Sequence, residues 1–223
     1  GNLNSKQPGE KDVYPAKYNI PDEELDQFYK LYERHVFVNK NKEYITEVQL
    51  QDGTGPLLVD LDFRYDPSVK ERKHGEELIK DLVETYVEKI VEILDIKGKT
   101  FNAYVFEKPN VNVLEDVTKD GVHIVFDIQM DHIVQQMIRT EMLSGEEHQG
   151  INGVLGDLNL KNTYNDVLDK CISTGKTNWQ LYGSCKPGHE RYDLTYQFKI
   201  AVEDNNGDQC EFTSIRQEHT MRP

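Results

Sequence analysis

Leu57-Leu58-Val59-Asp60-Leu61-Asp62-Phe63-Arg64 is the stretch on which the reading turns. It is rich in branched and aromatic residues and alternates in character, as a half-buried strand does. Side chains on a strand alternate between faces, so Leu57, Val59, Leu61 and Phe63 point into a core and Asp60, Asp62 and Arg64 point away from it. Two carboxylates about 7 Å apart on one strand face repel each other and lose hydration unless a cation lies between them. A hard divalent ion accepts such oxygen ligands, and magnesium usually takes one or two carboxylates together with substrate phosphates. The plain alternative is a half-exposed strand with its acids in water, and spacing alone does not separate the two.

Working outward, residues 44–50 read as a strand that turns through Asp52-Gly53-Thr54-Gly55 into the acid strand, 56–64. Further upstream Pro21 opens a helix: proline suits a first turn, and Asp22, Glu23 and Glu24 complement the N-terminal dipole. Leu25, Phe28, Tyr29 and Tyr32 give that helix an apolar face. Residues 1–13 are polar and without periodicity, the composition of a disordered leader, and 14–223 are expected to form the domain. Downstream, a charged loop with Lys70, Arg72, Lys73 and His74 leads into a helix over 76–95. Its stripe is Leu78, Ile79, Leu82, Val83, Tyr86, Val87, Ile90, Val91 and Leu94. Strands are expected over 101–106 and 122–128, a helix over 131–143, and a long Gly-, Asn- and Glu-rich loop over 144–163. Strands then dominate, near 167–169, 179–183, 192–202 and 209–213, with Asn205-Asn206-Gly207-Asp208 as a hairpin turn. This mix predicts an α+β domain with a mainly antiparallel sheet.

Composition narrows the function. The 223 residues carry 26 basic and 40 acidic side chains, a formal charge of −14, which argues against a coat protein for nucleic acid. An enzyme acting on nucleic acid needs only a local basic track. Arg64, Lys70, Arg72, Lys73 and His74, with the Lys97-Gly98-Lys99 turn, are the candidates. So few cations neutralise few phosphates, so template binding is expected to depend shallowly on salt. No apolar run approaches a membrane span, and no signal-like segment opens the chain. The start at Gly1 and the stop at Arg222-Pro223 read as a piece of a longer protein. Cys171, Cys185 and Cys210 are an odd, sparse set that fits a reducing compartment. With His189 they lack the CxxC pair of a zinc site. Gly175-Lys176-Thr177 resembles the end of a phosphate-binding Walker loop, but its first glycine would fall on Lys170.

Two further stretches carry chemistry. In Lys119-Asp120-Gly121-Val122-His123-Ile124-Val125-Phe126, Val122, Ile124 and Phe126 share one face, and His123 shares the other with Val125 and Asp127. A histidine there can bond a phosphate, although a lone histidine is more often structural. In the second, Val167-Leu168-Asp169 is followed by Trp179-Gln180-Leu181-Tyr182-Gly183-Ser184-Cys185-Lys186. A Gly-Ser turn with a lysine offers N–H groups and a cation to phosphates; a strand-end turn with a solvated lysine is the bland reading.

Together and in this order, Asp60-Leu61-Asp62, Gly121-Val122-His123 and Leu168-Asp169 resemble the three motifs of the archaeo-eukaryotic primase superfamily. The stretch Leu181 to Lys186 is similar to one in primase-helicases of nucleocytoplasmic large DNA viruses, the pox-, asfar- and mimivirus assemblage. The likeness spans about residues 20–215. It implies an archaeo-eukaryotic primase fold, an RRM-like, mainly antiparallel catalytic sheet merged with a smaller α/β unit. It implies primer synthesis for viral DNA replication, with a superfamily 3 helicase in the same full-length chain. The setting it implies is the host cytoplasm, at a viral replication factory, or the nucleus. Asp60, Asp62 and Asp169 would hold two Mg²⁺ or Mn²⁺ ions. His123 and Lys186, with Ser184 and Lys119 beside them, would contact a nucleoside triphosphate. A single-stranded DNA template would meet Arg64, Lys70, Arg72 and Lys73. The competing readings are a non-catalytic replication module, which tolerates loss of the acids, and a metal-dependent nuclease. A nuclease needs no triphosphate cradle, so Gly183-Ser184-Cys185-Lys186 favours nucleotidyl transfer.

Overall fold

A computed structural model describes residues 16–50, 53–144, 149–202 and 210–215, the last segment by its backbone alone. The chain order opens with α1 (Leu25–Glu33), β1 (Thr46–Glu47), β2 (Gly55–Tyr65), α2 (Glu76–Ile93) and β3 (Thr100–Glu107). It continues with β4 (Asn112–Val113), β5 (Thr118–Met130), α3 (His132–Ser144), α4 (Gly150–Leu155), α5 (Tyr164–Val167) and α6 (Lys170–Ser173). It closes with β6 (Trp179–Gln180), β7 (Asp193–Val202) and β8 (Cys210–Ile215). The main sheet runs β2-β5-β3-β7-β8, with β4 added beside β5, and all its pairings are antiparallel. A two-stranded sheet, β1 with β6, makes a smaller unit. The fold is therefore α+β, as the motif order implied.

One face of the main sheet is the core. Leu57, Val59, Leu61 and Phe63 from β2, Phe101, Ala103 and Val105 from β3, and Val122, Ile124 and Phe126 from β5 are buried there. Against them lies α2 through Ile79, Leu82, Val83, Tyr86, Val87 and Ile90. Burying each such side chain is worth about 1.5–3 kcal/mol. The solvent-side pairs Lys80–Glu84 and Lys89–Glu92 add about 0.2–0.5 kcal/mol each, so the apolar stripe decides where α2 sits. Asp131 starts α3, its carboxylate accepting from the Val134 N–H at 2.9 Å.

Several expectations need correction. Residues 44–50 contribute only Thr46–Glu47 as strand, and that strand pairs with β6 instead of forming a hairpin with β2. The outer edge of β2 is taken by residues 161–169. Lys161 N–H donates to the Arg64 carbonyl, Asn162 bonds both Arg64 N–H and the Asp62 carbonyl, and Leu168 bridges Leu61. The loop expected over 144–163 contains α4 and a 3₁₀ turn at Gly156–Leu158, with Ile151, Leu155 and Leu158 buried. The strand expected at 167–169 shrinks to the single Leu168 bridge. Thr163 and Asp169 each cap a helical turn, at Asp166 N and Cys171 N, and so curl the chain on either side. The leader at 1–13 and the turn at 205–208 lie outside the described residues. Among the described residues no helix is long and apolar enough to cross a membrane.

Candidate functional site

The other face of the sheet carries the polar residues. Asp60 on β2 pairs in register with His123 on β5, which pairs with Phe106 on β3, and Asp62 pairs with Gly121. Cross-strand partners point to the same side, so Asp60, His123 and Phe106 form one row. Asp169 arrives from α6. Its N–H donates to the Asp60 carbonyl at 3.0 Å, and its Oδ1 caps α6 by accepting from Cys171 N–H at 2.7 Å. The three acids read from the sequence thus meet on two adjoining backbone segments.

The acids are not equivalent. Burial acts to raise the Asp60 pKa, but His123, Lys186 and Lys108 outweigh it and hold the carboxyl below its usual range. His123 Nε2 stands 3.4 Å from Asp60 Oδ1, and that oxygen is buried without a hydrogen bond. We read the contact as charge proximity; at 3.4 Å a bond between these two atoms is weak at best. Asp62 moves the other way: burial, ionised Asp60 and Asp169 push its pKa up against the pull of Lys186 and His123. An orphaned carboxylate oxygen beside a second, electrostatically disfavoured carboxylate is a donor set that suits a hard divalent cation. Among the described residues, no three acid, histidine or cysteine groups already converge at ligating distance. Asp169 keeps Oδ2 and a second lone pair on Oδ1 beside its cap.

His123 packs against two rings. Tyr192 stacks on it at a centroid distance of 3.6 Å and 18°, and Trp179 lies 4.7 Å away. Tyr192 needs Gly121. A Cβ at that position would stand 2.8 Å from the Tyr192 hydroxyl and 3.0 Å from the Leu61 carbonyl oxygen. Lys186 is exposed, on a turn pinned to the smaller unit. Cys185 N–H donates to the Glu43 carbonyl, Ser184 N–H to the Leu181 carbonyl, and Gly183 adopts φ +90° with Phe37 packed where a Cβ would go.

Two sequence candidates have different work here. Ser184 is buried; its hydroxyl shares a 2.7 Å bond with Tyr32 and accepts from Ile45 N–H, so it fastens the turn instead of facing the acids. Arg72 folds inward, bidentate on Asp120 at 2.9 Å through Nε and Nη2, with Nη2 also donating to the Lys108 carbonyl. His74 is likewise buried, 2.7 Å from Glu107. Arg64 and Lys119 are exposed register partners at the end of β2 and β5, and Lys70 and Lys73 are exposed on the following loop. Cys171 is exposed and Cys185 buried, and the side chain of Cys210 lies outside the described residues. Sequence reading passed over Tyr192, Trp179 and Lys108. The alternation Tyr104, Phe106, Lys108 along β3 and the residue after it was the available signal for the last.

Residues 12–198 match the family described as the C962R protein N-terminal AEP domain, AEP denoting archaeo-eukaryotic primase. The chain is also 32% identical over 172 residues to the helicase-named protein L207/L206 of Acanthamoeba polyphaga mimivirus. That alignment covers 77% of this chain but only 17% of the relative, so the chain spans about a sixth of that protein's length. With most of its length matched and its acid, histidine and acid motifs gathered on one sheet face, the chain belongs to the C962R-type archaeo-eukaryotic primase domain family.

Proposed function

We propose that this domain catalyses template-directed nucleotidyl transfer, as the DNA primase part of a longer viral protein that also carries a superfamily 3 helicase. One observation carries the reading: Asp60, Asp62 and Asp169 are laced together by the Asp169–Asp60 backbone bond and the Leu61–Leu168 bridge, with His123 in register beside them. Structural ion pairs do not need acids from two distant motifs brought together; a cation-dependent phosphoryl site does.

In this reading Asp60, Asp62 and Asp169 would hold two Mg²⁺ or Mn²⁺ ions, which when bound would supply activation of a 3′-hydroxyl and charge stabilisation of the pyrophosphate leaving group. His123, kept in place by Tyr192 and Trp179, and Lys186 on its pinned turn contact the triphosphate of the incoming nucleotide, with Lys119 nearby. Arg64, Lys70 and Lys73 are the cations left for a single-stranded DNA template. Arg72 and Ser184 are positioning residues, fixing the backbone around the site. The test is incorporation of labelled nucleotides on single-stranded template with Mg²⁺ or Mn²⁺. Removing both Asp60 and Asp62 as alanines is expected to reduce product at least about a thousandfold, the scale on which charge-stabilising groups act, while the domain stays folded. Full activity in that double variant would end the reading.

A further inference from the structure

Lys108 is a half-buried lysine on the side of the acids. It follows β3 directly, one residue beyond the Glu107–Val122 pair, and continues the alternation that puts Phe106 on the face of His123 and Asp60. Its ammonium lies 4.8 Å over the Tyr192 ring. Its carbonyl is gripped by Arg72 at 2.7 Å, so its backbone is fixed from below. The charges of Lys186, Asp62, Asp60 and Asp120 all act on it. Lys108, Lys186 and Lys119 together also act on His189, whose N–H bonds the Lys186 carbonyl at 3.0 Å.

Three lysines whose charges act on one histidine make a local positive region in a chain with a formal charge of −14. Like charges held close, one of them partly dehydrated, are disfavoured unless an anion joins them. Burial and then Lys186 lower the Lys108 pKa, against the pull of Asp62, Asp60 and Asp120. A polyphosphate chain spans several ångströms and carries several negative charges, so it can meet ammonium groups held apart on different segments.

We propose that Lys108 is a polyphosphate-binding residue that closes with Lys186 on the triphosphate tail of the incoming nucleotide, an inference that rests on the nucleotidyl-transfer reading for the ligand's identity. Tyr192 supports it, lying under the ammonium and over His123, so that one ring sets the height of both groups above the sheet.

Inorganic tripolyphosphate is the probe, titrated calorimetrically in metal-free buffer at two salt concentrations. Lys108→Ala and Lys186→Ala are each expected to weaken binding about tenfold or more. Lys108→Met, which keeps the buried stem, should do the same with an unchanged melting temperature, and Lys108→Arg should recover part of the loss. Lys80→Ala, on the solvent side of α2, controls for bulk charge. In the incorporation assay Lys108→Met should raise the nucleotide KM more than it lowers kcat. The inference falls if wild type does not bind tripolyphosphate, if Lys108→Met binds it as wild type does, or if Lys80→Ala weakens it equally. Incorporation with an unchanged KM in Lys108→Met sinks the inference alone. Lys108-dependent tripolyphosphate binding in a protein that incorporates nothing sinks the polymerase reading and leaves the anion site standing.

Discussion

Two acid–histidine pairs stand on the same sheet and are built differently. Glu107 and His74 meet at 2.7 Å with side chains 4% and 0% exposed, and Arg72 reaches Glu107 at 3.3 Å while clamping Asp120. Both carboxylates there are answered at bonding or ion-pair distance; only His74 Nδ1 lacks a hydrogen bond. Asp60 and His123 stand 3.4 Å apart, Asp60 keeps an unbonded oxygen, and Asp62 beside them is pushed toward its neutral form. The first set is closed on itself; the second keeps acceptor capacity on an accessible face. Charge satisfaction, more than residue type, separates the two, because both are carboxylates beside an imidazole.

The comparison breaks first at Arg72. Removing one partner of a buried ionic network leaves the others uncompensated, at about 3–5 kcal/mol. Arg72→Ala should therefore unfold at markedly lower denaturant, whereas Asp60→Ala and Asp62→Ala should not. Arg72→Lys should recover little, because an ammonium does not reproduce the bidentate fork on Asp120. Chemical denaturation of the four variants side by side is the check; an Arg72→Ala protein as stable as wild type would erase the distinction between the two sets.

How far these differences were legible follows from the physics of each stretch. The faces of β2 and β5 were readable because period-two alternation is local, and α2 because its stripe runs five turns. α4 was hidden by composition: glycine, asparagine and glutamate mask Ile151, Val154, Leu155 and Leu158, which do fall at helical spacing. The pairing of β1 with β6 was not readable, since it joins residues far apart in the chain and nothing local marks it. Within the site, the acids, His123 and Lys186 showed as motifs. The inward turns of Arg72 and Ser184 depend on Asp120, Lys108, Tyr32 and Ile45, partners that come together only in the folded chain.

Gly121 offers a smaller break, at the boundary between the two sets. It lies between Asp120, whose Oδ1 accepts the Gly121 N–H at 2.9 Å, and the Tyr192 hydroxyl over the site face. A methyl there meets the Leu61 carbonyl oxygen at 3.0 Å, backbone that cannot swing aside, so the strand or Tyr192 must shift. Overpacking of this kind costs about 1–3 kcal/mol. Gly121→Ala should lose that stability and also loosen the Tyr192–His123 stack. Tyr192→Phe in the same background should restore part of the stability by removing the hydroxyl. Paired thermal melts decide it, and no recovery in the double variant would place the strain at Leu61 alone.

The smallest effect tests the open set through its sign. Because the folded pKa of Asp62 lies above its ordinary 3.8, its ionisation opposes folding at neutral pH, and this cost disappears as pH falls below 3.8. Glu107 has the opposite sign: burial alone would raise its pKa, but the bonds from His74 and Thr195 and the Arg72 cation hold it below 4.5. Its stabilisation is full above that value and is lost as pH drops through the depressed one. Asp62→Asn should then melt slightly higher than wild type at pH 7. The gain is about 1–2 °C at most, since Asp62 is exposed and solvent screens the repulsion, and it should vanish in acid. Glu107→Gln should melt lower at pH 7, and its deficit should shrink in acid. Adding Mg²⁺ or Mn²⁺ should reverse the order at pH 7, raising the wild-type melting temperature and leaving Asp62→Asn nearly unmoved, because ligands that bind only the folded state stabilise it by mass action. If Asp62→Asn responds to the ion as wild type does, the raised pKa of Asp62 reflects crowding of carboxylates and not a cation site.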